Sequence, residues 1–281
     1  MGVLGVSASA ILVRFSQAPS GVTAAYRLGW TVLLLLPVVL LRCRAELRRV
    51  TARDLVLCGA SGVLLALHFL TWFESLKRTS VASSTVLVST EVIFTALGFA
   101  LFLHGKIPRL GVWAILLAFG GSALLALSGG GGAGELSGNL LALAAASAAA
   151  VYTLIGRIQR GHLSTTVYTF LTYLACFLTL LLGTAAAGTP LTGYGGREWL
   201  IGLALAVLCT LLGHSLFSWC LKYLSPSYVS AAKLCEPVFS SLAAIPLFGE
   251  VPGPLQLAGG AAVLGAVLLY TWAEREKTPA G

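Results

Sequence analysis

Ten stretches of this chain, each near 20 residues long and mostly apolar, leave it few ways to fold. They run over approximately 1–18, 21–42, 54–74, 80–103, 109–128, 137–156, 164–187, 198–221, 227–248 and 254–273. About 20 apolar residues in a helix match the hydrocarbon thickness of a bilayer. In lipid a single run must satisfy its backbone N–H and C=O groups internally, and only a helix does so. Composition agrees, with 57% hydrophobic and 10% charged residues, against about 25% charged in a soluble domain. The first run is the weakest, being short and carrying Arg14. It has no basic region before it, so it reads as a span and not as a cleavable signal. The joints have turn chemistry: Ala18-Pro19-Ser20-Gly21, Gly105-Lys106-Ile107-Pro108, Gly129 through Gly134, Gly193 through Gly196 and Pro252-Gly253-Pro254. All linkers are short, with no soluble domain inserted.

Positive charge sets the expected orientation. With the N-terminus cytoplasmic, the inner loops and tail hold Arg42, Arg44, Arg48, Arg49, Arg53, Lys106, Arg109, Arg157, Arg160, Lys222, Arg275 and Lys277. The outer loops hold only Lys77, Arg78 and Arg197. The reading is a multi-pass protein of the inner (plasma) membrane with both termini cytoplasmic. The net charge of +8 is then a topology signal, with some attraction to anionic lipid headgroups, and not a nucleic-acid surface.

The fourth and ninth runs repeat one another 145 positions apart: Leu76, Lys77, Ser80, Glu91, Phe94 and Leu97 meet Leu221, Lys222, Ser225, Glu236, Phe239 and Leu242. Thr85, Thr95 and Ala96 meet Ser230, Ser240 and Ser241. An offset of five spans inverts the second copy relative to the first. Two oppositely oriented halves with a buried carboxylate at matching depth have the layout of an alternating-access transporter. The expected fold is an all-α integral membrane protein of ten transmembrane helices in two inverted five-helix repeats. Residues 1–128 form the first repeat, 129–136 an outer linker, 137–273 the second repeat and 274–281 a cytoplasmic tail.

The segment Leu221-Lys222-Tyr223-Leu224-Ser225-Pro226, then Glu236-Pro237-Val238-Phe239, then Gly249-Glu250 resembles a signature of the EamA-type family of the drug/metabolite transporter superfamily. The first-half copy departs from that pattern, with Val92 where proline is frequent and Gly105-Lys106 in place of Gly-Glu. The resemblance covers essentially the whole chain. It implies export or exchange of small metabolites, a cavity lined by helices one to four and six to nine, and peripheral fifth and tenth helices. It also implies that Arg27 matches an arginine common at that point of the second helix.

A charge at bilayer depth costs about 2.5–3.5 kcal/mol on insertion scales, so it faces protein or water. Glu91 sits mid-span, with Ser84 and Thr95 on the same helical face. It reads either as a proton-carrying coupling carboxylate or as one half of a permanent pair with Lys233, Arg27 or Arg14. Lys233 and Glu236, three apart, read either as an internal ion pair or as part of a substrate site. That site would sit beside the helix break at Pro237, which removes a backbone donor. Arg27 reads as a site residue or as a side chain reaching the headgroups. Arg14 reads as interfacial or paired.

His68 and His214 occupy nearly matching positions in the third and eighth helices, as do Trp72 and Trp219. All four are candidate substrate contacts, against packing histidines and interfacial tryptophans; Trp30, Trp113, Trp199 and Trp272 read as anchors. No metal-ligand spacing and no cofactor motif is present. The glycine run at Gly129–Gly132 lacks the context of a phosphate loop. Cys58, Cys176, Cys209, Cys220 and Cys235 read as small residues within apolar runs, and Cys43 lies in a charged loop. Disulfides are not expected. Small residues in the fifth, sixth and tenth helices permit close packing, within a monomer or across a homodimer.

The favoured function is a secondary transporter moving a small metabolite, such as an amino acid or related amphipathic solute, in exchange for protons or by export. The alternatives are an intramembrane enzyme acting on a lipid-linked substrate, and a non-transporting scaffold.

Overall fold

The computed structural model describes residues 2–102, 109–128, 133–224, 226, 229, 233 and 235–275. The joints expected at Gly105–Pro108 and Gly129–Gly132, and the tail beyond Arg275, lie outside them. Among the described residues the regular elements are helices: α1 (Gly2–Phe15), α2 (Ser20–Arg42), the short α3 (Arg44–Leu47), α4 (Ala52–Arg78), α5 (Val81–Val88), α6 (Glu91–Phe102), α7 (Arg109–Ser128), α8 (Ala133–Gln159), α9 (Thr165–Ala186), α10 (Gly196–Ala204), a π-helical segment (Leu205–His214), α11 (Ser215–Cys220), α12 (Cys235–Phe248) and α13 (Pro254–Arg275).

Among the described residues seven spans are long and apolar enough to cross a bilayer: Ser20–Arg42, Ala52–Arg78, Val81–Leu101, Gly134–Gln159, Thr165–Ala186, Gly196–Cys220 and Pro254–Ala273. Gly5–Phe15, Arg109–Leu125 and Glu236–Phe248 are shorter apolar helices. Leu41, Val56, Leu101, Leu182 and Leu200, each at least 67% exposed, face outward. In water such a surface would drive aggregation; lipid is the solvent it suits.

Several helix starts are written in the sequence. Thr51 and Asp54 form a capping box at α4, with Asp54 N–H donating to Thr51 Oγ1 (3.2 Å) and Thr51 N–H to Asp54 Oδ2 (3.0 Å). Ser80 accepts from Ser83 N–H (3.1 Å) to open α5, and Ser164 accepts from Val167 N–H (3.2 Å) to open α9. Two departures from the expected spans shape the interior. The fourth span is not continuous: α5 stops at Val88, Ser89 and Thr90 form a turn, and α6 restarts at Glu91. The eighth span is widened over ten residues into π-helix, ending at His214. Hydrophobic patterning is blind to the bulge, which leaves its run apolar, and the break falls at the short polar stretch Ser89-Thr90-Glu91 inside a run that is otherwise apolar.

The core is built around α4, which packs on α8 and α9, while α2 packs on α9. Phe69, Phe73, Leu65, Leu28, Tyr168, Tyr173 and Leu180 fill it. Cys58, Cys176 and Cys209 are buried free thiols. Helices α7 and α13 pack chiefly on each other, at a distance set by glycine. A Cβ on Gly121 would lie 2.9 Å from the Gly259 carbonyl oxygen, and one on Gly259 would lie 2.9 Å from that of Gly121. The same device joins α4 to α9: a Cβ on Gly62 would come within 2.5 Å of Ala175 Cβ and 2.6 Å of the Thr172 carbonyl oxygen. Close backbone approach supplies the dispersion that holds helices together where lipid removes the hydrophobic drive.

Gly59 lies one turn earlier on α4, and a Cβ there meets nothing within 4 Å. Gly62→Ala should therefore destabilise the protein by about 1–3 kcal/mol through overpacking, and Gly59→Ala should not. Thermal denaturation in detergent checks this; equal midpoints for the two variants would contradict the α4–α9 contact.

Candidate functional site

The two interruptions bring the chemistry-bearing residues together. Glu91 stands in the first turn of α6 and Glu236 in the first turn of α12. The matched carboxylates of the repeat each stand in the first turn of a helix, where the partial positive charge of the helix N-terminus favours an anion. Pro237 falls in the same first turn of α12, where its missing N–H has no intrahelical partner to lose. Its side chain faces an apolar groove between α5, α12 and α13, away from the charged cavity.

The cavity is walled by α1 through Val6 and Ser9, by α4 through His68 and Trp72, and by the α5–α6 turn through Val88, Ser89 and Glu91. His214 from the π segment, Lys233 and Glu236 complete it. Its open space of about 30 Å³ admits one or two waters. In this conformation that space is too small for a metabolite.

Lys233 Nζ donates to Glu91 Oε2 (2.9 Å) and Oε1 (3.1 Å), and Thr153 Oγ1 on α8 also donates to Oε1 (2.9 Å). Lys233 Nζ lies 5.4 Å from the centre of the Phe217 ring. Of the pairings open for Glu91, the structure selects Lys233. The Lys233–Glu236 ion pair expected from their spacing is absent among the described residues. Lys233 lies before the start of α12 and reaches across to Glu91 instead. A buried pair with this geometry gains little net stability, but removing one partner strands the other and costs about 3–5 kcal/mol.

Arg27 is fully buried, which corrects the headgroup reading. Its Nε donates to Thr210 Oγ1 (2.8 Å) and its Nη1 to Ser9 Oγ (3.1 Å), while Nη2 has no hydrogen-bond partner. The guanidinium lies 4.2 Å from the centre of the Phe69 ring, a cation–π contact. Thr210 belongs to the π segment, so the widened turn supplies an arginine ligand and the cavity-facing His214 together.

The matched histidines do meet: the His68 and His214 rings are 6.4 Å apart, edge to face. His68 stacks on Trp72 at 5.8 Å. Its Nδ1 lies 3.0 Å from the Ala145 carbonyl oxygen; a carbonyl only accepts, so Nδ1 carries the proton in this bond. Trp219 does not join the cavity. It is half exposed and packs on Tyr223 at 5.0 Å, with the outward Trp113, Trp199 and Trp272. The face expected for Glu91 also changes: Ser84 pairs with Ser75 (2.9 Å) and Thr95 is buried, whereas the turn presents Ser89. Arg14 is paired, its Nη2 donating to Glu250 Oε1 (2.8 Å) while it also donates to the Leu76 carbonyl; Glu250 Oε2 accepts from Val81 N–H (2.7 Å). Ser9, Ser89, Thr153 and Thr210 escaped sequence reasoning, because a hydroxyl in an apolar run usually bonds its own helix and gives no separate signal.

The profile of the EamA-like transporter family matches the chain over residues 1–127 and again over 136–272. The chain is 24% identical over 207 residues to the pseudopaline exporter CntI of Pseudomonas aeruginosa (strain UCBPP-PA14), covering 74% of this chain and 72% of the relative. It is 28% identical to a probable terminal-alkyne amino-acid exporter of Streptantibioticus cattleyicolor, covering 79% and 75%. It is 29% identical to the uncharacterized transporter YwfM of Bacillus subtilis, covering 78% and 74%. One solved crystal structure has the same fold, with a TM-score of 0.68 at 18% identity over 96% of this chain and 94% of that one. The apolar helices, the buried ionic cavity and the two family matches lead to one conclusion: this chain belongs to the EamA-like transporter family and is a multi-pass membrane transporter rather than an enzyme.

Proposed function

We propose that the chain is a secondary carrier that exports or exchanges a small amphipathic metabolite of the amino-acid class, coupled to protons. It works by alternating access between two inverted five-helix halves, residues 1–128 and 137–273, joined by a linker over 129–136. Both termini face the cytoplasm, and the host membrane is the inner (plasma) membrane. The double match of the family profile supports the two halves, and the positive charges of the loops support the orientation. Relatives named as exporters support the direction.

The observation that carries this reading is the Lys233–Glu91 pair, since each partner comes from one copy of the repeat and both line the same narrow cavity. Protonation of Glu91 removes the charge that holds Lys233, so proton arrival loosens the contact between the halves. Glu91 is then the coupling group, and Glu236, Lys233, His68, His214 and Trp72 are the walls a solute meets.

Lys233→Ala and Glu236→Gln should each lower solute flux in proteoliposomes at least tenfold while the protein still inserts and purifies as a folded species. Flux at the wild-type level in both would reject the cavity as the transport site. Glu91→Gln should abolish the pH dependence of flux between pH 5 and 8. A mutant profile that still follows the wild type would remove Glu91 from coupling.

A further inference from the structure

Two buried carboxylates outside the central cavity each grip a helix joint that lies far from them in the chain. Asp54 stands in the first turn of α4 and is 6% exposed; Glu198 stands in the first turn of α10 and is 4% exposed. Asp54 Oδ2 is taken by its own helix cap, accepting from Thr51 N–H (3.0 Å) and Thr51 Oγ1 (2.7 Å). Its Oδ1 serves the joint between α8 and α9, accepting from His162 Nε2 (2.7 Å) and Gln159 Nε2 (3.2 Å). Ser164 N–H, at the end of that joint, donates to Glu46 Oε1 (2.7 Å). Glu198 makes the converse contact with the joint between α1 and α2. Its Oε2 accepts from Ser16 Oγ (2.6 Å) and its Oε1 from Gln17 N–H (3.1 Å).

The two arrangements are related by the repeat. Gln17 meets His162 at the 145-residue offset, and Glu198 falls one residue short of the position that meets Asp54. In each, the carboxylate begins the third span of one half and holds the joint between the first two spans of the other. They lie at opposite ends of the bundle. Lys77, at the far end of α4 from Asp54, donates to the Ala18 carbonyl (2.6 Å), next to Gln17. The 27 residues of α4 separate those ends by about 40 Å. With both termini cytoplasmic, Asp54 stands at the inner face and Glu198 at the outer.

Rocking one half against the other parts the contacts at one face and keeps those at the other. Each of these clamps bridges the halves at a single face, so one releases while its counterpart holds. A carboxylate buried from water is costly to strand, but at an opening face the water that enters replaces the lost donors. We propose that Asp54 and Glu198 are the gate residues of the carrier, Asp54 holding the cytoplasmic face shut and Glu198 the outer face. This rests on the carrier reading and adds to it the groups that release each face. Neither residue lines the central cavity; both are positioning residues that act through the joints they grip.

The test reads accessibility of the cavity from each side. Full-length protein carrying Ser89→Cys, with the native cysteines replaced, is labelled by a membrane-impermeant maleimide in inside-out and in right-side-out vesicles. Asp54→Asn and His162→Ala should each raise the inside-out rate relative to the right-side-out rate by about fivefold, the effect of losing one hydrogen bond. Glu198→Gln and Ser16→Ala should shift that ratio by a similar factor in the opposite sense. Thr51→Ala removes the α4 cap and spares Asp54 Oδ1, so it should lower the thermal midpoint without moving the ratio; this separates gating from loss of stability. If a carboxylate variant fails to fold, the variant of its partner in the other half decides. Unchanged ratios, or shifts in the same sense at both ends, would overturn the proposal. Labelling from one side alone, in the Ser89→Cys background and in every variant, would instead overturn the carrier reading, and this inference with it.

Discussion

A lysine and a glutamate, 142 residues apart in sequence, meet at 2.9 Å within an apolar bundle. Neither charge survives in lipid alone, and the span that bears Glu91 is interrupted beside it. The α5–α6 turn releases Glu91 at the start of a half-helix, and α12 begins just before Glu236. The breaks do two things at once. They expose helix N-termini that favour carboxylates, and they let side chains from separate parts of the chain converge where straight helices would hold them on fixed faces. Packing is arranged around the result: α1 supplies Ser9, the π segment supplies His214 and Thr210, and α4 supplies the aromatic wall.

Such an interior is suited to movement. The pair Lys233–Glu91 breaks without covalent change, and its loss is tolerable only when another group or a proton takes over its charges. By contrast the contacts around α4 are glycine-mediated and tight, as at Gly62. The helices around α4 are joined by backbone approach, and the walls that the proposed cycle would part are joined by charge. Arg14 and Glu250 add a second ionic tie, between α1 and the start of the loop that leads to α13.

The membrane setting, the helical class and the charged residues of the cavity were legible in the sequence, because a Glu or Lys within an apolar run is costly unless it faces protein or water. Lys233, Glu236, Glu91, His68, His214 and Trp72 all line one cavity. What the sequence concealed was geometry. Spacing put Lys233 beside Glu236, but spacing predicts neighbours only on a continuous helix, and Lys233 precedes the start of α12. Arg27 lies near a helix end, where headgroups are within reach; only the packing of α2 against α9 and the π segment encloses it. Trp219 stands two positions past Phe217, the residue that meets Trp72 at the 145-residue offset, and it faces outward on α11, which follows a π-helical stretch that rotates all later residues relative to an α-helix. A π segment has no hydropathy signature, so neither that rotation nor the hydroxyl ligand Thr210 could be read in advance.

The central claim, a cavity opened to one side of the membrane and then the other, is tested most directly at Ser89, which lines it from the α5–α6 turn. In a background with the native cysteines replaced, Ser89→Cys can be labelled with a membrane-impermeant maleimide in right-side-out and in inside-out vesicles. The account predicts labelling from both sides, with Lys233→Ala altering the ratio of the two rates. Labelling from one side alone, unaltered in that variant, would contradict it.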